Sequence, residues 1–147
     1  MKAWKYYEEL NAHCREVIFE CLNIVEMYGD TFVSVHRDDD TECVILVTVM
    51  KSVPLLSIII ADELAFKERK DPELLLRLNA MNASSITGWH SAAFGDDSTL
   101  YMYRQCIWLS LNLCYEDLFR LLKQSISEYK KGKSLIMTSG DPTDPAA

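Results

Sequence analysis

A chain of 147 residues with 49% hydrophobic and 25% charged residues can bury a core as one domain, and its five glycines and four prolines are too few for a linker-rich or low-complexity protein. The formal net charge of −7, with no Lys/Arg run interleaved with aromatics, argues against a nucleic-acid partner, because nothing is there to neutralise a phosphate backbone. The start MKAWKYYEELNAHCREV is interrupted by Glu8, Glu9, His13, Arg15 and Glu16, so it reads as neither a secretory h-region nor a membrane span, and the expected location is the cytosol with no membrane partner.

In chain order, Trp4, Tyr7, Leu10, Cys14, Val17, Cys21, Ile24 and Tyr28 recur at steps of three and four, which predicts a long amphipathic first helix ended by Gly29-Asp30. Thr31 to His36 reads as a strand, Arg37 to Glu42 as a polar turn, Cys43 to Met50 as a second strand and Leu55 to Ala61 as a third. Val44, Leu46 and Met50 would point to one side of the sheet, and Ile45, Val47 and Val49 to the other. Apolar residues on both sides mean that both faces have to be covered. The chain's own helices can cover one, and the second calls for a subunit or a bound partner.

After a solvated loop from Asp62 to Lys70, Asp71-Pro72-Glu73 predicts the start of a second helix, with Leu74, Leu75, Leu78 and Met81 on its apolar side. Ile86 to Phe94 reads as the fourth strand, Gly95-Asp96-Asp97-Ser98 as a hairpin turn and Leu100 to Trp108 as the fifth. A third helix begins near Cys114-Tyr115-Glu116-Asp117, where acids suit the positive end of the helix dipole, and it carries Leu118, Leu121, Leu122, Ser125, Ile126 and Tyr129 along one side. The fold class is therefore α+β, an α-β-β-β-α-β-β-α sandwich with a five-stranded, mainly antiparallel sheet. Residues 1–135 form the single domain, and 136–147 a flexible tail ending SGDPTDPAA.

The chemical candidates are few. Ser84, Ser85, His90 and Asp97 supply the side chains of a hydrolytic triad, but there is no G-x-S-x-G elbow, and an extended chain places Ser85 roughly 16 Å from His90. His36, Asp38, Asp39, Asp40 and Glu42 are oxygen-rich, yet the glycine of a calcium loop is missing, so the run reads as a solvated turn. Cys14, Cys21, Cys43, Cys106 and Cys114 are odd in number without a C-x-x-C, and read as reduced, mostly buried thiols. No enzyme activity, metal or cofactor is expected, and Ser85→Ala or His90→Ala should change stability by no more than roughly 0.5 kcal/mol if both are surface strand residues.

The segment Leu78-Asn79-Ala80-Met81-Asn82-Ala83-Ser84-Ser85, followed by two strands and a helix opening on Tyr115-Glu116, resembles the YbjN family and the related class I type III secretion chaperones. The likeness runs from Leu74 to Lys131; Met1 to Ala61 matches in element order alone. It implies a homodimeric α/β sandwich without a catalytic site, which holds an extended segment of a client protein, or else a YbjN-like regulatory protein with no secretion client. A small metal-dependent enzyme using the acidic turn is the remaining alternative. The aromatics Trp89, Phe94, Tyr101, Tyr103 and Trp108 are the candidate dimer residues. Phe32, Val44, Ile45, Leu46, Val47, Ile58 and Ile60 are the candidate client-binding residues.

Overall fold

A computed structural model of the chain describes residues 2–50, 52–64, 72–85, 87–94 and 98–138. Helix α1 (Lys2–Cys21) is followed by β1 (Glu26–Tyr28), β2 (Thr31–Arg37), β3 (Glu42–Val49), β4 (Leu55–Leu64), α2 (Pro72–Ser84), β5 (Trp89–Phe94), β6 (Thr99–Trp108) and α3 (Tyr115–Thr138). Asp71, Ile86, the Gly95-Asp96-Asp97 turn and residues 139–147 lie outside the described residues.

The sheet has six strands in the order β1-β2-β3-β4-β6-β5, and every neighbouring pair is antiparallel. The additional strand comes from residues that continue the helical spacing: Tyr28 falls on the apolar stripe of α1, yet α1 stops at Cys21 and Glu26–Tyr28 pairs with β2. Gly29 does not cap a helix. Its φ of +59°, with no other described residue at positive φ, makes Tyr28-Gly29-Asp30-Thr31 a two-residue hairpin of the II′ kind, whose twist suits the flanking strands. Arg15 pairs with Asp30, so the new hairpin is fastened to α1. Further along, Asp62, Glu63 and Leu64 extend β4 into what reads as loop, because each finds a partner on the equally long β6.

Strands β4 and β5 flank β6 and run parallel to each other, so α2 is the crossover of a split β-α-β unit whose gap β6 fills. All three helices gather on one face. Phe19 of α1 meets Phe32 edge-on, Ser125 of α3 donates to Gln105, Lys133 pairs with Asp62, and Tyr129 stacks on Tyr101. By register, Phe32, Val47, Ile58 and Gln105 form one row across the sheet, which fixes the face that these contacts share. The core fills that layer with Leu10, Cys14, Val17 and Ile18 of α1, Leu78 of α2 and Leu118, Leu122, Tyr129 and Ile136 of α3. α3 runs to Thr138, so residues 136–138, expected in the tail, are helical and Ile136 is buried in the core.

α1 also holds the connection between β6 and α3. His13 Nε2 bonds the Leu113 carbonyl at 2.7 Å, while the Cys14 and Cys21 thiols donate to the carbonyls of Ser110 and Tyr115 at 3.8 and 3.5 Å. Among the described residues all five cysteines are free thiols, and burial pushes Cys21 and Cys43 up to about 11, so neither is a ready nucleophile.

Candidate functional site

The motif between α2 and β5 turns out to be a joint. Asn82, in the last turn of α2, presents its amide to the outer edge of β5. Its Nδ2 donates to His90 O at 2.9 Å, and its Oδ1 accepts from His90 N at 2.5 Å. One side-chain amide thus replaces a strand neighbour at an edge that would otherwise offer unpaired backbone groups. Ser84 Oγ bonds back to the carbonyls of Ala80 and Met81, and Ser85 Oγ donates to Gly88 O at 2.7 Å, closing the turn into the strand.

His90 is turned into the core, where Nδ1 shares a 2.5 Å hydrogen bond with Tyr101 Oη. Ser85 and His90 are thus each engaged elsewhere, and Asp97 lies outside the described residues. Around His90 stands a buried aromatic cluster: Tyr101 stacks on Tyr129, Tyr103 leans on the His90 ring, and Tyr103 Oη meets Thr87 Oγ1 at 3.0 Å. Gly132 of α3 lets the helix settle on this cluster. A Cβ there would overlap Tyr101 Oη and lie 2.7 Å from His90 Nδ1. The surface placement expected for His90 is therefore corrected: it is 5% exposed and belongs to a polar network beneath α3.

Burial lowers the pKa of His90, with Glu128 opposing it, so the ring is neutral in the folded chain at pH 7. A histidine whose folded pKa lies below its unfolded value of about 6.5 contributes stability above that value and loses it as pH falls through the folded one. The urea midpoint should therefore drop between pH 7 and pH 5, and the drop should shrink in His90→Asn. An unchanged slope in the variant would assign the acid sensitivity to other groups.

The acidic turn between β2 and β3 is also structural. Asp38 Oδ1 accepts from the backbone N–H groups of Asp40 and Thr41, while Oδ2 meets His36 Nε2 at 3.0 Å and pairs with Lys130 of α3. Lys130 first, then His36 and the turn amides, hold the Asp38 carboxyl well below the usual carboxylate range. Whatever this pairing contributes is complete above about pH 4, the ordinary carboxylate value, and disappears as pH falls through the depressed one. Acid unfolding below pH 4 should be less steep in Lys130→Met; an identical acid limb in the two proteins would show that the pair does not couple turn to helix. Among the described residues no three His, Cys, Asp or Glu side chains gather as a metal site.

What remains is the face opposite the helices. Register places Val33 and Val35 of β2, Val44 and Leu46 of β3, Ile59 and Ala61 of β4 and Leu100 and Met102 of β6 on that side. No element of the chain described here lies over them. Val35, Val44 and Leu100 are 40, 37 and 38% exposed, Trp89 42% and Trp108 69%. Some polar groups on this side pair with one another: Thr31 Oγ1 meets Thr48 Oγ1 at 2.8 Å, Arg37 reaches Glu42 at 3.0 Å, and Arg104 donates to Ser57 Oγ at 3.3 Å while lying over the Trp89 ring.

The candidate binding residues divide between the two faces. Trp89, Trp108, Val44 and Leu46 lie on the open face. Tyr101, Tyr103, Phe32, Ile45, Val47, Ile58 and Ile60 are buried beneath the helices and have no surface to offer a partner, which corrects their assignment to an interface. Phe94 is placed by its backbone opposite Thr99. Strand parity held the signal for this division, since Tyr101 and Tyr103 are two apart and must share a face, with Arg104, the register partner of Trp89, on the other.

No family model matches the chain, and no curated protein matches it. Solved structures do. YbjN of E. coli, described as a candidate transcription regulator, superposes with a TM-score of 0.56 at 15% identity, over 81% of this chain and 84% of that one. An uncharacterized protein from Methanothermobacter thermautotrophicus superposes with a TM-score of 0.61 at 12% identity, over 90% of this chain and 99% of its own. With three helices on one side of a six-stranded antiparallel sheet, this chain has a YbjN-like fold.

Proposed function

We propose that this protein is a non-catalytic protein-binding module that works through the open face of its sheet. The observation that carries the reading is the apolar side of the sheet that no described helix covers, where Val35, Val44 and Leu100 are exposed and Leu46 and Ile59 half-buried. Contiguous apolar surface rimmed by polar residues is how interaction sites differ from ordinary protein exterior. The side chains that could have served chemistry are occupied in structure: His90 by Tyr101, Ser85 by Gly88 and Asp38 by Lys130. A regulatory role of the kind ascribed to YbjN is compatible with this, acting through protein contacts, since a chain of net charge −7 is poorly suited to DNA.

A type III secretion client is the second reading, and the edge of β2 favours it. Val33 O accepts from Val25 N, so the backbone groups of Val35 and Arg37 point the same way, past the end of the three-residue β1, where an extended segment can add as a strand.

The test is selective loss of binding. Proteins retained by the wild-type chain should be released by Val44→Glu and Trp89→Glu; undiminished retention by both would remove the open face from the function. Elemental analysis tests the chemistry. We expect no stoichiometric metal, and a zinc or calcium that survives dialysis and is lost in Asp38→Ala/Asp40→Ala would replace the binding module by a metal-dependent enzyme.

A further inference from the structure

Arg15, Arg37, Arg120, Lys130, Lys131 and Lys133 each face a carboxylate. Arg104, half-buried on the open side of β6, faces none among the described residues, in a chain with 22 acidic residues. Its Nε donates to Ser57 Oγ at 3.3 Å and its guanidinium carbon lies 5.7 Å from the centre of the Trp89 ring, so the N–H groups of its terminal nitrogens have no acceptor among the described residues. The acids on this side of the sheet do not serve it. Glu63 is the register partner of Leu100, roughly 13 Å along the strand from Arg104, and Arg104 leans the other way, towards Ser57, whose own partner is Cys106. Glu26 shares the row of Arg104 but stands on the far edge of the sheet, and Glu42 is taken by Arg37.

The surroundings of this guanidinium are apolar. Ile59 and Trp89 are its register neighbours on either side, Met102 precedes it on the same face, and Leu46 continues the row beyond Ile59. A partner that covered these side chains with apolar groups alone would take the charge out of water with nothing to answer it, and an unpaired buried charge strongly opposes binding. A partner that brings a carboxylate gains instead, because the planar guanidinium can meet it with two parallel hydrogen bonds. Resting on the binding-module reading, we infer that the open face takes an apolar segment of another protein carrying one Asp or Glu, whose carboxylate pairs with Arg104 beside Trp89 while its apolar side chains pack on Leu46, Ile59 and Met102. Trp89 is 42% exposed, so its ring is there to be covered, and Trp and Arg are the residue types that most often carry binding energy. Further acids in the segment are disfavoured, since Glu26, Glu42 and Glu63 border the same side and the chain as a whole carries −7. Arg104 thus selects the partner, and the acidic margin rejects its more acidic competitors.

Random dodecapeptides displayed on phage and selected on the full chain test this. Enriched sequences should place a single Asp or Glu within an apolar run, and selection on Arg104→Glu should turn that preference to Lys or Arg. Titrated by fluorescence anisotropy, an enriched peptide should lose about thirtyfold or more in affinity when its acid is replaced by the matching amide, and as much when the protein carries Arg104→Gln. The amide peptide should bind wild type and Arg104→Gln alike, because the pair is then already broken. The exchange on the peptide uses the unaltered protein, so the test stands even where an Arg104 variant folds poorly. Failure to enrich any sequence overturns the inference, as does an affinity indifferent to the acid-to-amide exchange. Enriched peptides that lack an acid, yet are released by Val44→Glu, would refute the carboxylate while the binding module stands. Phosphatidylglycerol vesicles that bind the wild type and not Arg104→Gln, with no peptide enriched, would give the guanidinium to a lipid phosphate and overturn the inference as well.

Discussion

Gly132→Ala should destabilise the protein, against the rule that alanine strengthens a helix. In an exposed helix interior the exchange gains about 1 kcal/mol from reduced backbone entropy. Here the added methyl would overlap Tyr101 Oη and lie 2.7 and 2.9 Å from atoms of the His90 ring, and neither ring has room to retreat, because Tyr101 is fully buried and stacked on Tyr129. Overpacking of this kind costs about 1–3 kcal/mol, so a net loss of ~1–2 kcal/mol is expected in urea unfolding. Tyr101→Phe removes the nearest atom, and the double variant should lose less than the two single losses added. A Gly132→Ala protein more stable than wild type would mean that α3 does not approach the sheet this closely.

Asn82→Leu should cost about 2 kcal/mol, although it replaces a half-buried side chain by one of similar size. The amide answers both backbone groups of His90, and leaving a buried donor or acceptor without a partner costs about 1–3 kcal/mol. Hydrogen exchange locates the effect: the His90 amide should lose most of its protection, with β3 and β4 affected only through global stability. Loss spread evenly over the sheet would show that Asn82 acts by packing. Since β5 is an edge strand, the variant should also aggregate more readily, its freed edge being available to another chain.

Much of the architecture is legible from hydrophobic spacing, and the exceptions have identifiable causes. β2, β3 and β4 have enough β-branched residues to declare themselves, and their apolar content on both sides announces a sheet face that the helices cannot reach. β1 is hidden because three residues carry no period of their own, and Tyr28 extends the stripe of α1. The interface residues are divided wrongly where aromatic clustering is followed ahead of strand parity: Tyr101 and Tyr103 are adjacent in sequence to Met102, which lies on the opposite face. What makes room for Tyr101 in the core is the small Gly132, about thirty residues later, a complementarity that only the docking of α3 reveals. His90 fails for the same reason. A lone histidine in a strand reads as solvated until its partner, eleven residues away, is found across the hairpin.

The fastening of α1 to the segment between β6 and α3 has a consequence for how the chain acquires its structure during synthesis. His13, Cys14 and Cys21 bond to carbonyls 100, 96 and 94 residues further on, so the helix leaves the ribosome well before the seat it binds has been made. Until then its apolar stripe has no permanent cover, and the loop to be closed is nearly the whole domain, an arrangement of high contact order that slows folding. In pulse-labelled refolding, amides of α1 should gain protection with or after those of α3, whereas β2 to β4, whose pairings are local hairpins, should gain it earlier. An α1 protected ahead of the hairpins would mean that it first docks on something other than the seat it finally occupies.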